Sequence, residues 1–321
     1  MRQSFGVSTR ILGIVLALAW CPLASGRTAM GAEEASVEIT ESPGKVHVRV
    51  GQVEIATYVY EDPQTPRPYF TALKSVSGTP LTRNHPPQPG DRDDHPLMHP
   101  GLWRAFGDLN GADCWRLKAQ VRHVEFLKRP AGGGFAVRNR YLAADGKTAL
   151  CSEAVRYRFL RRPSGVLLLW DSTLEADAGP VRLGEQEEMG LGVRVATPLA
   201  VSSGQGGRLL DSEGRRDEKA IWGNVARWCD YAGPAGQGWA GITLMTASDN
   251  VRGTWWHVRD YGVFVANSFG PRSKGGPAEI AAGETLRLRY GVLLHETAAE
   301  GDLDLAAEFG AFEKGLESIV P

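Results

Sequence analysis

Two stretches of the 321-residue chain gather most of the side chains able to do chemistry. The first runs Asp91-Arg92-Asp93-Asp94-His95-Pro96-Leu97-Met98-His99-Pro100-Gly101-Leu102-Trp103 and continues through Gly107-Asp108-Leu109-Asn110-Gly111 to Trp115. With His85 it places three of the seven histidines within fifteen residues. Proline follows each of them. A residue before proline is held in an extended or turn conformation, so His95 and His99 do not form an i,i+4 pair on a zinc-binding helix. In an extended segment, residues an even number apart share a side, which would send both imidazoles one way with Asp94 or Asp108 to orient them. Three readings follow: the pair ties down a long loop, it meets a polar substrate as proton shuttle or hydrogen-bond partner, or it binds a metal.

The second stretch comprises Trp222-Gly223, Trp228-Cys229-Asp230-Tyr231, Trp255-Trp256-His257-Val258-Arg259-Asp260-Tyr261-Gly262 and Asn267-Ser268-Phe269-Gly270. Aromatic rings beside Asp, Arg, His and Asn suit a sugar, whose flat apolar face stacks on a ring while its hydroxyls need donors and acceptors. The alternative is an aromatic core with snorkelling charges, to which Trp170 and Tyr290 would belong. On a strand, His257 and Arg259 would share one side and Asp260 the other. A third candidate, Glu185-Gln186-Glu187-Glu188, can raise one carboxyl pKa by crowding and so supply a general acid or base, or can be a solvated charge run. The Gly190-x-Gly192 pair after it lacks the lysine and helix of a phosphate loop. Neither G-x-S-x-G, H-E-x-x-H nor paired C-x-x-C occurs.

The elements that must position these groups are strands. The 39 glycines and 19 prolines fit a chain that turns often;. Val46, Val48 and Val50 alternate with polar residues, and Gly51-Gln52 turns the chain into Val53, Ile55, Thr57 and Val59, which predicts a hairpin. Val155, Tyr157 and Phe159 alternate with arginines, and Pro163-Ser164-Gly165 leads into the apolar run 166–170. Leu286, Leu288, Tyr290, Val292 and Leu294 mark a further strand. Only at the C-terminus do Leu305, Phe309, Phe312 and Leu316 repeat at helical spacing, predicting one closing helix. No fixed-period repeat or low-complexity linker divides the chain, so residues 33–321 are expected to form a single all-β domain, a large antiparallel sandwich.

Residues 1–32 read as an export signal: Arg2 and Arg10, an apolar run at 11–20, and small residues allowing cleavage after Gly26 or Ala32. The run is too short to span a membrane comfortably. The expected location is periplasmic or extracellular. Cleavage after Ala32 takes the net charge from −1 to −4 by removing Arg2, Arg10 and Arg27, leaving no basic field for nucleic acid;. Cys114, Cys151 and Cys229 are too few and too scattered for a disulfide framework; one bridge or buried free thiols are the choices.

The segment Asp94-His95-Pro96 through Gly101-Leu102-Trp103, followed by Gly107-Asp108-Leu109-Asn110-Gly111 and Cys114-Trp115, resembles the D-H-P-H-H-x-G-L-W and G-x-x-N-G-x-x-F-W motifs of a bacterial family labelled PmoA-like. Trp228-Cys229-Asp230-Tyr231, Trp256-His257-Val258-Arg259-Asp260-Tyr261-Gly262 and Asn267-Ser268-Phe269-Gly270 are similar to its other motifs. The resemblance spans about 67–295, and Leu97-Met98 stands where that family has adjacent histidines, so a three-histidine cluster would be incomplete. A methane monooxygenase subunit needs several long apolar spans, which this sequence lacks, so methane oxidation is rejected. The resemblance implies a galactose-mutarotase-like sandwich in bacteria that export carbohydrate-degrading proteins.

The expectation is therefore a carbohydrate-active protein acting on a glycoside or modified sugar by acid–base chemistry, as an epimerase, lyase or hydrolase. His95, His99, His257 and Glu187 would be catalytic. Trp103, Asn110, Asp230, Trp256, Arg259, Asp260 and Asn267 would hold a small-molecule or oligosaccharide substrate. No cofactor and no metal are called for. A non-catalytic carbohydrate-binding or scaffold protein and a metal-dependent oxidoreductase are the alternatives.

Overall fold

Alternating valines and a two-residue Gly51-Gln52 turn give the hairpin the sequence predicts, with Val46 and Val48 fully buried in the core. The computed structural model describes residues 1–6, 8, 36–270 and 276–319. The expected export signal lies almost entirely outside the described residues. Residues 1–34 and 35–321 form separate units, and the strands and helices of the described residues all belong to the second.

The strands of this unit are β1 (Val37–Ser42), β2 (Lys45–Val50), β3 (Val53–Val59), β4 (Tyr69–Thr71), β5 (Leu102–Ala105), β6 (Gln120–Ala131), β7 (Gly134–Leu142), β8 (Ala149–Arg162) and β9 (Gly165–Glu175). There follow β10 (Val181–Leu183), β11 (Gly190–Arg194), β12 (Arg208–Asp211), β13 (Trp228–Ala235), β14 (Gly238–Thr246), β15 (Trp255–Arg259), β16 (Val263–Asn267), β17 (Ala278–Ile280) and β18 (Thr285–Thr297). A short helix α1 (Asp217–Ile221) precedes β13, and α2 (Leu305–Leu316) follows β18.

Two eight-stranded antiparallel sheets carry the fold, ordered β1-β2-β3-β4-β5-β11-β16-β15 and β12-β13-β14-β18-β9-β8-β7-β6; β10 and β17 pair separately. Their inner faces meet in one core containing Tyr58, Phe70, Leu191, Phe264, Tyr157, Trp170 and Tyr290. This is the expected sandwich, with Trp170 and Tyr290 inside it. The apolar stripe of α2 (Leu305, Phe309, Phe312, Leu316) packs on Leu167, Leu169, Met245 and Leu293 from the outer face of the second sheet. Burying such a stripe stabilises by roughly 2 kcal/mol per large side chain. Inside the sandwich, Arg104 of β5 donates to Glu153 and Ser172 of the facing sheet. Cys114, Cys151 and Cys229 are buried free thiols. Among the described residues no helix is long and apolar enough to cross a membrane.

Candidate functional site

Strand register decides which candidate side chains meet. Trp103 pairs with Gly192, Gly192 with Val265, and Val265 with His257; one step along, Arg194 and Arg259 both pair with Val263. Residues opposite one another on neighbouring strands share a face, so Trp103, Arg194, His257 and Arg259 all stand on the outer face of the first sheet. The intervening residues point into the core. Trp256 is one of them: fully buried in the core cluster, with its Nε1 donating to the Ala226 carbonyl at 3.1 Å. It holds the sandwich and does not reach the outer face.

Gly192 lets that face be paved with indoles. A Cβ there would come within 2.9 Å of both Trp103 and Trp115. His99 stacks on Trp103 with ring centres 4.8 Å apart, and His95 stacks on His99 at 4.8 Å. Of the extended and turn alternatives the segment takes the turn: His95 has φ +51° and accepts a hydrogen bond from the His99 N–H at 3.2 Å, so a single turn brings the imidazoles together. Two arginines fix the loop from below. Arg83 donates to the carbonyls of Arg92, Asp94, His95 and His99, and Arg67 to those of Met98, Cys114 and Trp115. Buried carbonyls need partners, and a guanidinium supplies five donors in a plane.

Asp94 locks this loop to the sheet. Its carboxylate receives both terminal nitrogens of Arg194, at 2.7 and 2.9 Å, and lies 3.2 Å from the His95 Nδ1. Burial alone would raise the Asp94 carboxyl, but the Arg194 guanidinium outweighs it and holds the group well below the usual carboxylate range;. Arg194 and Arg92 lie over the Tyr261 ring at 4.8 and 5.3 Å.

At the other end, β15 presents His257 and Arg259. Glu187 Oε2 lies 4.0 Å from His257 Nδ1 and 3.7 Å from Arg259 Nη2. Asn267 places Glu187: its amide donates to the carbonyls of Gln186 and Glu187 at 2.8 and 3.2 Å. On the far side of the same loop Arg116 binds Glu188. Arg259 also reaches Glu218 of α1 at 3.4 Å and lies 5.7 Å over the Trp222 ring. Trp222, Arg259, Asp260 and Asp217, Glu218 and Lys219 of α1 line a cavity of about 570 Å³. Asp260 joins Arg259 there because β15 ends at Arg259 and strand alternation no longer applies to the next residue. Burial, and then the neighbouring Glu218 carboxylate, push the Asp260 carboxyl up;.

Burial drives the His257 imidazole down to about 3, with Arg259 adding to it, and drives His99 well below its ordinary value, with His95 and Arg194 adding. Both rings are therefore neutral near pH 7, and no acceptor or donor meets either nitrogen of His99. Such rings act by packing and stacking; they do not exchange protons near neutrality. The two ends of the face are also distinct. Three strand spacings of 4.7–4.9 Å separate Trp103 from His257, about 14 Å at the backbone.

Two other expected residues lie elsewhere. Asn110 holds a turn, its side chain donating to the Pro180 carbonyl and accepting from the Arg182 N–H. Asp230 stands on the second sheet, hydrogen-bonded to Thr243 and His295. Among the described residues no three His, Cys, Asp or Glu side chains are grouped as metal ligands. Not among the expected site residues were Arg83, Arg67, Arg194, Glu218, Trp222 and Tyr261. Trp222 and Tyr261 stood inside the aromatic stretch singled out in the sequence, which was their signal; the arginines carried none.

The sequence matches the family described as a family of unknown function (DUF6807) over residues 45–308, and the chain belongs to that family. The match extends across the resemblance found in the sequence without carrying the PmoA-like label. Searched against curated proteins, the sequence finds no match. Among solved structures, the chain is similar to the galactosidase domain of an alpha-galactosidase–sucrose kinase (TM-score 0.43, 10% identity, 81% of this chain and 42% of that chain). It thus spans less than half the length of that chain. It is also similar to a galactose mutarotase-like protein from Lactobacillus casei (TM-score 0.35, 11% identity, 81% of this chain and 100% of that chain).

Proposed function

We propose that this member of a family of unknown function is an exported carbohydrate-active protein, with its substrate held in the cavity between α1 and the end of β15. The observation that carries the reading is the juxtaposition of Trp222, Arg259 and Asp260 around about 570 Å³, room for one or two sugar rings;. Trp222 offers a flat apolar wall and Arg259 its donors. Asp260 and Glu187 are two carboxyls in unlike surroundings: Asp260 is raised by burial and Glu218, whereas Glu187 faces the Arg259 cation. A carboxyl pushed up by burial suits a proton donor. Asp260 is assigned as proton donor and Glu187, 3.7 Å from Arg259, as base. His95 is the half-exposed ring at the far end of the face, backed by the buried His99 and Trp103, and it is what a longer glycan would reach. Asn267 acts by holding the Glu187 loop.

A second reading, binding without turnover, is favoured by the burial of His99 and His257, which keeps both rings from exchanging protons with a substrate. Calorimetry and product analysis on a panel of monosaccharides, methyl glycosides, uronates and oligosaccharides separate the two. Trp222→Ala is expected to weaken binding about tenfold, the worth of a stacked ring. Asp260→Asn is expected to retain binding and abolish turnover. Turnover unchanged in Asp260→Asn removes the acid–base assignment, turnover absent throughout with binding intact selects the binding module, and no sugar bound at all removes the carbohydrate reading. Mass spectrometry of the mature protein recovered from the periplasm or medium tests export.

A further inference from the structure

The outer face of the second sheet, on the opposite side of the sandwich, carries a second constellation that the proposed sugar site does not use. Neighbouring strands β12, β13, β14 and β18 bring Arg208, Asp230, Trp239 and His295 together around a cavity of about 280 Å³ beside the start of α2. Leu210, Leu303 and Leu305 complete an apolar side and Arg216 and Glu300 a charged one.

Asp230 and His295 are each only 1% exposed, and His295 Nε2 lies 2.8 Å from Asp230 Oδ1. A carboxylate only accepts, so Nε2 carries the hydrogen, and in the neutral ring Nδ1 presents a lone pair. That Nδ1 is buried and has no protein partner. The Thr243 hydroxyl donates to the same Asp230 oxygen at 2.8 Å, which fixes the carboxylate. Nearby, Arg208 lies 5.3 Å over the Trp239 ring and 3.6 Å from the second Asp230 oxygen. One oxygen of Glu300 is 2.7 Å from Arg208 Nε and 3.4 Å from Arg216 Nη1. Glu300 stands on the connection between β18 and α2 and is 45% exposed, so its carboxylate can leave this position without unfolding the sheet.

We infer that this cavity is a binding site for a small hydroxycarboxylate, no larger than a six-carbon sugar acid, and that Glu300 occupies its anion position as an internal stand-in. The ligand carboxylate replaces that of Glu300 between Arg208 and Arg216. A hydroxyl two or three bonds away donates to His295 Nδ1, a buried acceptor facing no donor. The carbon chain lies along Trp239, Leu303 and Leu305. An aliphatic acid lacking the hydroxyl leaves Nδ1 unsatisfied, and a neutral polyol leaves Glu300 in place; both bind more weakly.

Isothermal calorimetry with D-gluconate, lactate, propionate and sorbitol on the whole protein tests this. Gluconate or lactate is expected to bind, with propionate and sorbitol about tenfold weaker, the weight of one buried hydrogen bond. Glu300→Gln is expected to bind the hydroxycarboxylate about fivefold tighter, because the competing surface ion pair is gone. His295→Gln retains a donor toward Asp230 but removes the Nδ1 acceptor, and is expected to lose about tenfold in affinity while still unfolding cooperatively in urea. Trp222→Ala, which empties the proposed sugar site, is expected to leave this binding intact. The inference is overturned if no hydroxycarboxylate binds either wild type or Glu300→Gln at millimolar concentration. It is also overturned if Glu300→Gln weakens binding, or if the affinity is lost with Trp222→Ala and kept with His295→Gln.

Discussion

Replacing Asp94 by Asn tests whether the histidine loop is clamped to the sheet by one ion pair. Arg194 is only 2% exposed and Asp94 23%, and the pair makes two parallel hydrogen bonds of 2.7 and 2.9 Å. Asn accepts at one oxygen, so one Arg194 nitrogen loses its acceptor. Arg83, 3.7 Å from the same carboxylate, is left beside Arg194 with no anion between them. Stripping one partner from a buried pair costs ~3–5 kcal/mol; the retained hydrogen bond and the partial exposure of Asp94 bring the expected loss to about 2–3 kcal/mol. Urea unfolding at pH 7 measures it, with the slope unchanged. In an Arg194→Met background the same substitution should cost under ~1 kcal/mol, because the coupling has already gone. The pH dependence follows from the depressed Asp94 carboxyl. Its contribution is complete above the unfolded value near 3.9 and is lost as pH falls through the lower folded value. The difference between wild type and Asp94→Asn should therefore be constant from about pH 5 to 8 and shrink below about pH 4. A loss under ~0.5 kcal/mol at pH 7, or equal losses in both backgrounds, would refute the clamp.

Gly192→Ala should destabilise by about 1–3 kcal/mol through overpacking against Trp103 and Trp115, with a shift in tryptophan emission; an unshifted, equally stable variant would mean the indoles do not rest on this strand;. Asn267→Ala removes both side-chain bonds to the Glu187 loop and should cost about 1–3 kcal/mol while accelerating amide hydrogen exchange at residues 186–190;. His257, held down to about 3, should show no NMR titration between pH 5 and 8. Because the unfolded ring takes up a proton near 6.5, wild-type stability should fall as pH drops below that value, and His257→Gln should flatten this part of the profile;.

Much of the architecture was legible because strand burial has a period of two and writes itself into the chain. The 45–59 hairpin, the long strands before and after Gly165, and the helical spacing from Leu305 to Leu316 all appear where the pattern put them. The same periodicity correctly placed His257 and Arg259 on one side of β15. It also set Trp256 on the opposite side, yet Trp256 entered the expected site because an aromatic beside a histidine carries no label for core or surface. Strand alternation failed at the end of an element, since Asp260 lies one residue past β15. The prolines left the 95–99 segment extended or turned, and the turn found there has its His95 and His99 carbonyls bound by buried Arg83.

The sequence by itself determined the strand pattern, the closing helix and the two stretches in which polar and aromatic groups concentrate, since these depend on composition and spacing within a few residues. Only the tertiary structure decided that His95, His99 and Trp103 of the first stretch are stacked, that Trp222 and α1 close the cavity around Asp260, and that Asp230 belongs to the other sheet beside His295. The physical reason is that protonation state and partnership are set by burial and by neighbours distant in the chain. Arg194 is one hundred residues from Asp94, and His295 is sixty-five from Asp230. No local spacing encodes such pairs; sheet register does.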